Sequence, residues 1–162
     1  MKALDGKINQ KQHSDRRKSF FRSLVLPNDV QAVPQLNQFI DEICDSVDLD
    51  PAQTMQMNLA IEEAVVNVMN YAYPADVHGD VNIDVQGNDE QLEFTISDSG
   101  IPFDPTAREK VDTTLPLEDR PIGGLGIFLV RELMDSIHYK RVDGKNVLTL
   151  CKKLDCMSNK TS

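Results

Sequence analysis

The periods of the apolar positions change along this chain from two to about 3.6 residues and back again, which sorts it into strands and helices. Residues 19–26, SFFRSLVL, alternate loosely with large apolar side chains and suit a strand, which Pro27 ends. Asn28 or Asp29 can cap a helix in which Val30, Val33, Leu36, Phe39, Ile40, Ile43 and Val47 recur at helical spacing. Pro34 falls near its first turn, where a missing N–H matters little. After a break at residues 48–51, Asp50 and Pro51 offer the cap and first position of a second helix. That helix, residues 52–73, is apolar around most of its circumference and should be largely buried. At ~100° per residue, Gln56, Glu63, Asn67 and Asn70 nonetheless share one side of it, with small Ala60 between them. A polar seam on a buried helix is costly unless something pairs with it.

Pro74 stops the helix, and residues 75–80 read as a loop. Residues 81–86 and 91–97 alternate with period two around the turn Gly87-Asn88-Asp89-Glu90, the pattern of a hairpin. Asp98-Ser99-Gly100 closes the second of these strands. Residues 101–122 carry Pro102, Pro105, Pro116 and Pro121 and form the longest loop, a candidate lid. Gly123-Gly124-Leu125-Gly126 then opens an apolar helix at 127–135. Residues 137–142 and 146–154 form a last hairpin about Asp143-Gly144. The order β-α-α-β-β-loop-α-β-β predicts an α+β fold, a two-layer sandwich with helices packed on one face of a mixed, mostly antiparallel sheet. Residues 1–18 are expected to be a flexible basic leader, 19–154 the domain, and 155–162 a disordered tail.

Length and composition narrow the classes. The chain has 162 residues, 40% hydrophobic and 27% charged, which suits one globular domain. No stretch approaches the ~20 apolar residues of a membrane span, and residues 1–18 lack the apolar run of a secretory signal. Residues 1–22 hold 7 Lys/Arg against 2 Asp/Glu, whereas the remainder holds 10 against 24. So acidic a body is repelled by phosphate backbones, and the absence of Trp argues against a base-stacking platform, so nucleic acid is not the expected partner. A nucleoside triphosphate remains possible, because local N–H groups and a metal ion can offset its charge. Three cysteines, Cys44, Cys151 and Cys156, without metal-site spacing read as free thiols in a reducing cytoplasm.

Three motifs carry chemistry. Glu63 and Asn67, four residues apart, share one helical face; a carboxylate there can deprotonate a nucleophile, and an amide oxygen can ligate Mg²⁺. Taken alone, the pair also fits a solvated Glu and a satisfied Asn, with Glu62, about 100° away, as the solvated control. Asp98 at a strand end can accept a hydrogen bond from an adenine amino group, and Gly100 lets backbone come close to the base; the same residues also make an ordinary turn. Gly124 and Gly126 at a helix start suit phosphate, or simply a tight loop-to-helix turn.

In this order, over residues 19–154, the parts resemble the GHKL family of ATP-binding domains, and within it the bacterial anti-sigma factor serine kinases. IEEAVVNVMNYAYP looks like the N box, DSGIPFDP like the first glycine box, and PIGGLGIFLVRELMD like the second. The resemblance implies Glu63 as general base, Asn67 on Mg²⁺, Asp98 on the adenine amino group, Gly100 as pocket floor, Gly124 and Gly126 against the phosphates, and Thr149 as the family's late Thr near adenine. It also implies ATP and Mg²⁺ as cofactors, a sigma factor and its anti-anti-sigma antagonist as partners, and a homodimer. The implied activity is phosphorylation of a serine or threonine on the antagonist, in partner-switching control of transcription. The chain departs from that pattern in three places: Tyr71 stands where His is frequent, Ile122 or Gly123 where Arg is frequent, with Arg120 nearby, and Pro102 where the first box has its second Gly. These departures keep a second reading open, a nucleotide-gated module that sequesters a regulator without kinase activity. A third, an interaction domain without nucleotide, would leave the polar seam to be satisfied by water.

Overall fold

The structure is a computed structural model that describes residues 19–107 and 124–154. The expected leader, the tail, and Arg120, Ile122 and Gly123 lie outside the described residues. Strand β1 (Phe20–Pro27) leads through a short 3-10 turn (Val30–Ala32) into α1 (Val33–Ser46). Asp29 caps that turn by accepting from the Gln31 N–H at 2.9 Å. Helix α2 (Pro51–Tyr71) opens on a capping box: Asp50 Oδ1 accepts from Gln53 N (2.8 Å), and Gln53 Oε1 accepts from Asp50 N (3.2 Å). Then come β2 (Asp80–Gly87), β3 (Gln91–Asp98), α3 (Gly124–Leu133), β4 (Ser136–Val142) and β5 (Lys145–Lys153).

The sheet order is β1-β2-β3-β5-β4, and every neighbouring pair is antiparallel. Period-two alternation sets its two faces. Leu26 of β1, Val81, Ile83 and Val85 of β2, Leu92, Phe94 and Ile96 of β3, and Leu148 and Leu150 of β5 are buried. They pack with Leu36, Ile40 and Ile43 of α1, Ile61, Ala64 and Val65 of α2, and Ile127 and Val130 of α3 in one core. Helices therefore cover one face, with α2 in contact with both α1 and α3. The last hairpin turns through Asp143 and Gly144, both at positive φ (50° and 77°), as a tight two-residue β turn requires.

Helix α3 differs from expectation at both ends. Gly124 and Gly126 lie inside its first turn rather than ahead of it. It ends at Leu133, where Lys152 Nζ donates to the Leu133 carbonyl (3.0 Å). Asp135 instead joins the end of β5, its N–H donating to the Cys151 carbonyl (2.9 Å) and its Oδ2 accepting from Lys153 N (2.6 Å).

Candidate functional site

The sheet contributes one wall through the end of β3. Asp98 has the parity of Leu92, Phe94 and Ile96, so its side chain turns toward the helices and is 2% exposed. Its Oδ1 accepts from Gly100 N (2.9 Å) and from Asn146 Nδ2 (2.8 Å). Its Oδ2 is buried and has no hydrogen-bond partner. An orphaned buried acceptor is costly and uncommon, and a ligand's donor can satisfy it.

Antiparallel pairing puts Asn146 directly opposite Asp98. The Asn146 amide uses its full capacity. Nδ2 donates to Asp98 Oδ1 and to the Ile101 carbonyl (both 2.8 Å), while Oδ1 accepts from Phe103 N (3.1 Å) and Tyr139 Oη (2.6 Å). Thr149 does not join this site. Three positions further along β5 it has the opposite parity, stands across from Thr95 and His138, and turns to the face without helices. The resemblance implies Thr149 near adenine; this register puts its side chain on the face opposite to that of Asp98. Asn146 occupies the place facing Asp98, and sequence reasoning passed over it. The signal was present: Asn146 breaks an inward row that continues with Leu148 and Leu150.

Helix α2 carries the other polar candidates. Asn67 is 6% exposed, and its Nδ2 is buried with no hydrogen-bond partner. That nitrogen is uncommitted to protein, and an amide turned by half a revolution presents its oxygen in the same direction. Glu63, one turn earlier on the same face, is half-buried. Glu62 is not the solvated control that the sequence suggests, because it faces α1 and accepts from Asn37 Nδ2 at 3.2 Å. The rest of the seam divides: Asn70 is exposed, and Gln56 lines a separate cavity of about 350 Å³ with Met57, Lys152 and Lys153.

The end of α2 is tied to the turn after Asp98. The Ala72 carbonyl accepts from Ile101 N (2.8 Å), and a Cβ on Gly100 would stand 2.2 Å from that same oxygen. The observed close approach at Gly100 is thus to α2. Tyr73 Oη donates to the Asp80 carbonyl (2.7 Å) and accepts from Ser99 N (3.2 Å). Burial, with the nearby Asp98 and Asp80 carboxylates, pushes the Tyr73 hydroxyl above its ordinary value despite the Ser99 bond. Beyond the turn, Phe103 stacks on Tyr71 with ring centroids 5.6 Å apart. A 3-10 turn (Pro105–Ala107) follows, and α3 holds it through Arg131 Nη2, which donates to the Thr106 carbonyl (2.6 Å). The first part of the candidate lid is therefore fastened to α2, β5 and α3. Gly124 and Gly126 stand in the N-terminal turn of α3, which packs against α2.

Two buried polar atoms lack a hydrogen-bond partner, Oδ2 of Asp98 on β3 and Nδ2 of Asn67 on α2; the first can accept from a ligand's N–H, and the second can donate to one. A sheet covered by helices on one face, with such a site at the end of its central strand, defines a nucleotide-binding domain of two layers. Residues 26–152 match the histidine kinase-like ATPase domain family, and the chain belongs to that family. Among curated relatives, the chain is 38% identical over 96 residues to the serine-protein kinase RsbW of Bacillus cereus (strain AH187), covering 57% of this chain and 59% of that protein. It is 36% identical over the same length to the serine-protein kinase RsbW of Bacillus mycoides (strain KBAB4). The chain thus spans a little under two thirds of the length of these relatives. A crystal structure of the RsbU and RsbW domains of Rv1364c from Mycobacterium tuberculosis shares the fold, with TM-score 0.59 and 15% identity over 85% of this chain and 34% of that one.

Proposed function

We propose that the chain is an ATP-dependent serine/threonine-protein kinase of the anti-sigma type, which phosphorylates a small antagonist protein and so controls access to a sigma factor. The observation that carries this reading is the unpartnered, buried Oδ2 of Asp98 at the end of β3, an acceptor matched to the amino group of adenine. Asn67 would hold Mg²⁺, which keeps most of its waters and needs few protein oxygens. Bound there, the ion supplies neutralisation of phosphate charge. Gly124 and Gly126 would face the phosphates from the first turn of α3, where backbone N–H groups are available. Glu63 is the general base. It takes the proton of the partner's hydroxyl as that oxygen bonds the γ-phosphorus and the bond to the leaving diphosphate breaks.

The relatives' name, serine-protein kinase, supports the transfer step. A homodimer would use the helix-free face of the sheet, where Phe21 and Val25 of edge strand β1 are 64% and 55% exposed. The cytoplasm is the proposed compartment, in keeping with the free thiols of Cys44 and Cys151. A second reading, a nucleotide-gated sequestering module without transfer, draws on Tyr71, whose ring is engaged with Phe103. Incubation of the protein with γ-labelled ATP and a co-purifying partner separates them. Label on a partner serine or threonine supports the kinase, and nucleotide-dependent capture of an unlabelled partner supports sequestration.

A further inference from the structure

We propose that Asn146 is a positioning residue that sets the base preference of the site by fixing which oxygen of Asp98 meets the nucleotide. This rests on the ATP reading above. A carboxylate free to turn about its last torsion offers two equivalent oxygens. Here the equivalence is broken, because Asn146 Nδ2 and Gly100 N both donate to Oδ1, leaving Oδ2 as the open acceptor. The clamp is itself held. Asn146 is 3% exposed, its second amide hydrogen goes to the Ile101 carbonyl, and its oxygen receives Tyr139 Oη and Phe103 N. The amide therefore cannot rotate without breaking bonds to two further elements, β4 and the start of the lid.

A fixed acceptor discriminates by chemistry. It receives an exocyclic amine and is repelled by a carbonyl oxygen in the same position, so it favours adenine over hypoxanthine, which carries a carbonyl there. The same bonds connect base recognition to the lid, since Ile101 and Phe103 are held by the residue that holds Asp98.

The test is a calorimetric titration of the full chain with Mg-ATP and Mg-ITP. The parent should bind ATP more tightly than ITP. In Asn146→Ala the ratio of the two dissociation constants should shrink by roughly tenfold, through loss of ATP affinity, as expected when a hydrogen bond to a charged group is removed. Asn146→Ser keeps a polar group of smaller size and is read in the same way where the Ala variant does not fold. Ile83→Val, a core truncation on β2 away from this network, should melt at lower temperature while keeping the parental ratio, which separates positioning from general stability. A parental ratio in both Asn146 variants overturns the proposal and leaves the ATP reading standing. A ratio lowered as far in Ile83→Val as in Asn146→Ser also overturns it. A parent that binds neither nucleotide overturns the ATP reading and this inference with it.

Discussion

Glu62 and Glu63 are adjacent, yet the helix turns them to different neighbours. Glu62 is occupied by Asn37 of α1, whereas Glu63 shares the face of Asn67. Glu63→Gln should keep the parental affinity for ATP and lose transfer by roughly 10²–10⁴-fold, the range of a positioned base. Single-turnover labelling at saturating ATP checks this, and a parental rate would remove Glu63 from that role. Asp98→Asn keeps the size of the side chain while putting the open oxygen in competition with an N–H donor. ATP affinity should fall by roughly ten- to a hundredfold, and unchanged affinity in a titration would contradict the adenine assignment. Cys44 offers a test unrelated to nucleotide. Burial pushes its thiol up to about 11 from an ordinary 9.0, the nearby Asp41 carboxylate adding to the rise and Thr54 opposing it. An acid with a raised native pKa is stabilising below its unfolded value and loses that contribution as pH climbs toward the native one. Denaturant midpoints should therefore fall between pH 9.0 and about 11, and fall less in Cys44→Ala.

At the scale of elements, the joints are more informative than the elements themselves. Helix α2 and the turn after β3 meet so closely at Ala72 and Gly100 that Gly100→Ala should destabilise by about 2 kcal/mol or more, because backbone rather than a flexible side chain must yield. Chemical denaturation of the variant measures it. Asp50→Ala removes the cap of α2 and should cost about 1 kcal/mol. The helices, the strands and the Asp50 cap could be read from local pattern, since period, caps and turn residues are properties of neighbouring residues. The same held for the face shared by Glu63 and Asn67. What could not be read was pairing across the sheet. Whether Thr149 or Asn146 faces Asp98 depends on the register of β5 against β3, strands between which α3 and β4 intervene in the sequence. The surroundings of Glu62 are hidden from local pattern for a related reason, because its partner Asn37 comes from another helix. Local pattern puts the start of α3 too late because glycine is a poor helix former, although Gly124 and Gly126 belong to its first turn.

The whole molecule places an acidic body around a site proposed for an anionic nucleotide, with 24 acidic against 10 basic residues beyond position 22. Binding must then come from local donors and a cation rather than from net charge, so affinity should depend strongly on Mg²⁺. Chelation should weaken ATP binding, and an affinity indifferent to it would argue against Asn67 as a metal ligand. Ligand linkage gives the most direct test of the central claim. A nucleotide that binds only the native state at a hundred times its dissociation constant adds about 2.7 kcal/mol of stability. Thermal unfolding of the parent and of Asp98→Asn, each with and without Mg-ATP, reads this in one experiment. The account predicts a clear rise in the parental midpoint and a much smaller one in the variant at the same ATP concentration. A parental midpoint that ATP leaves unmoved, or an equal rise in both proteins, would contradict it.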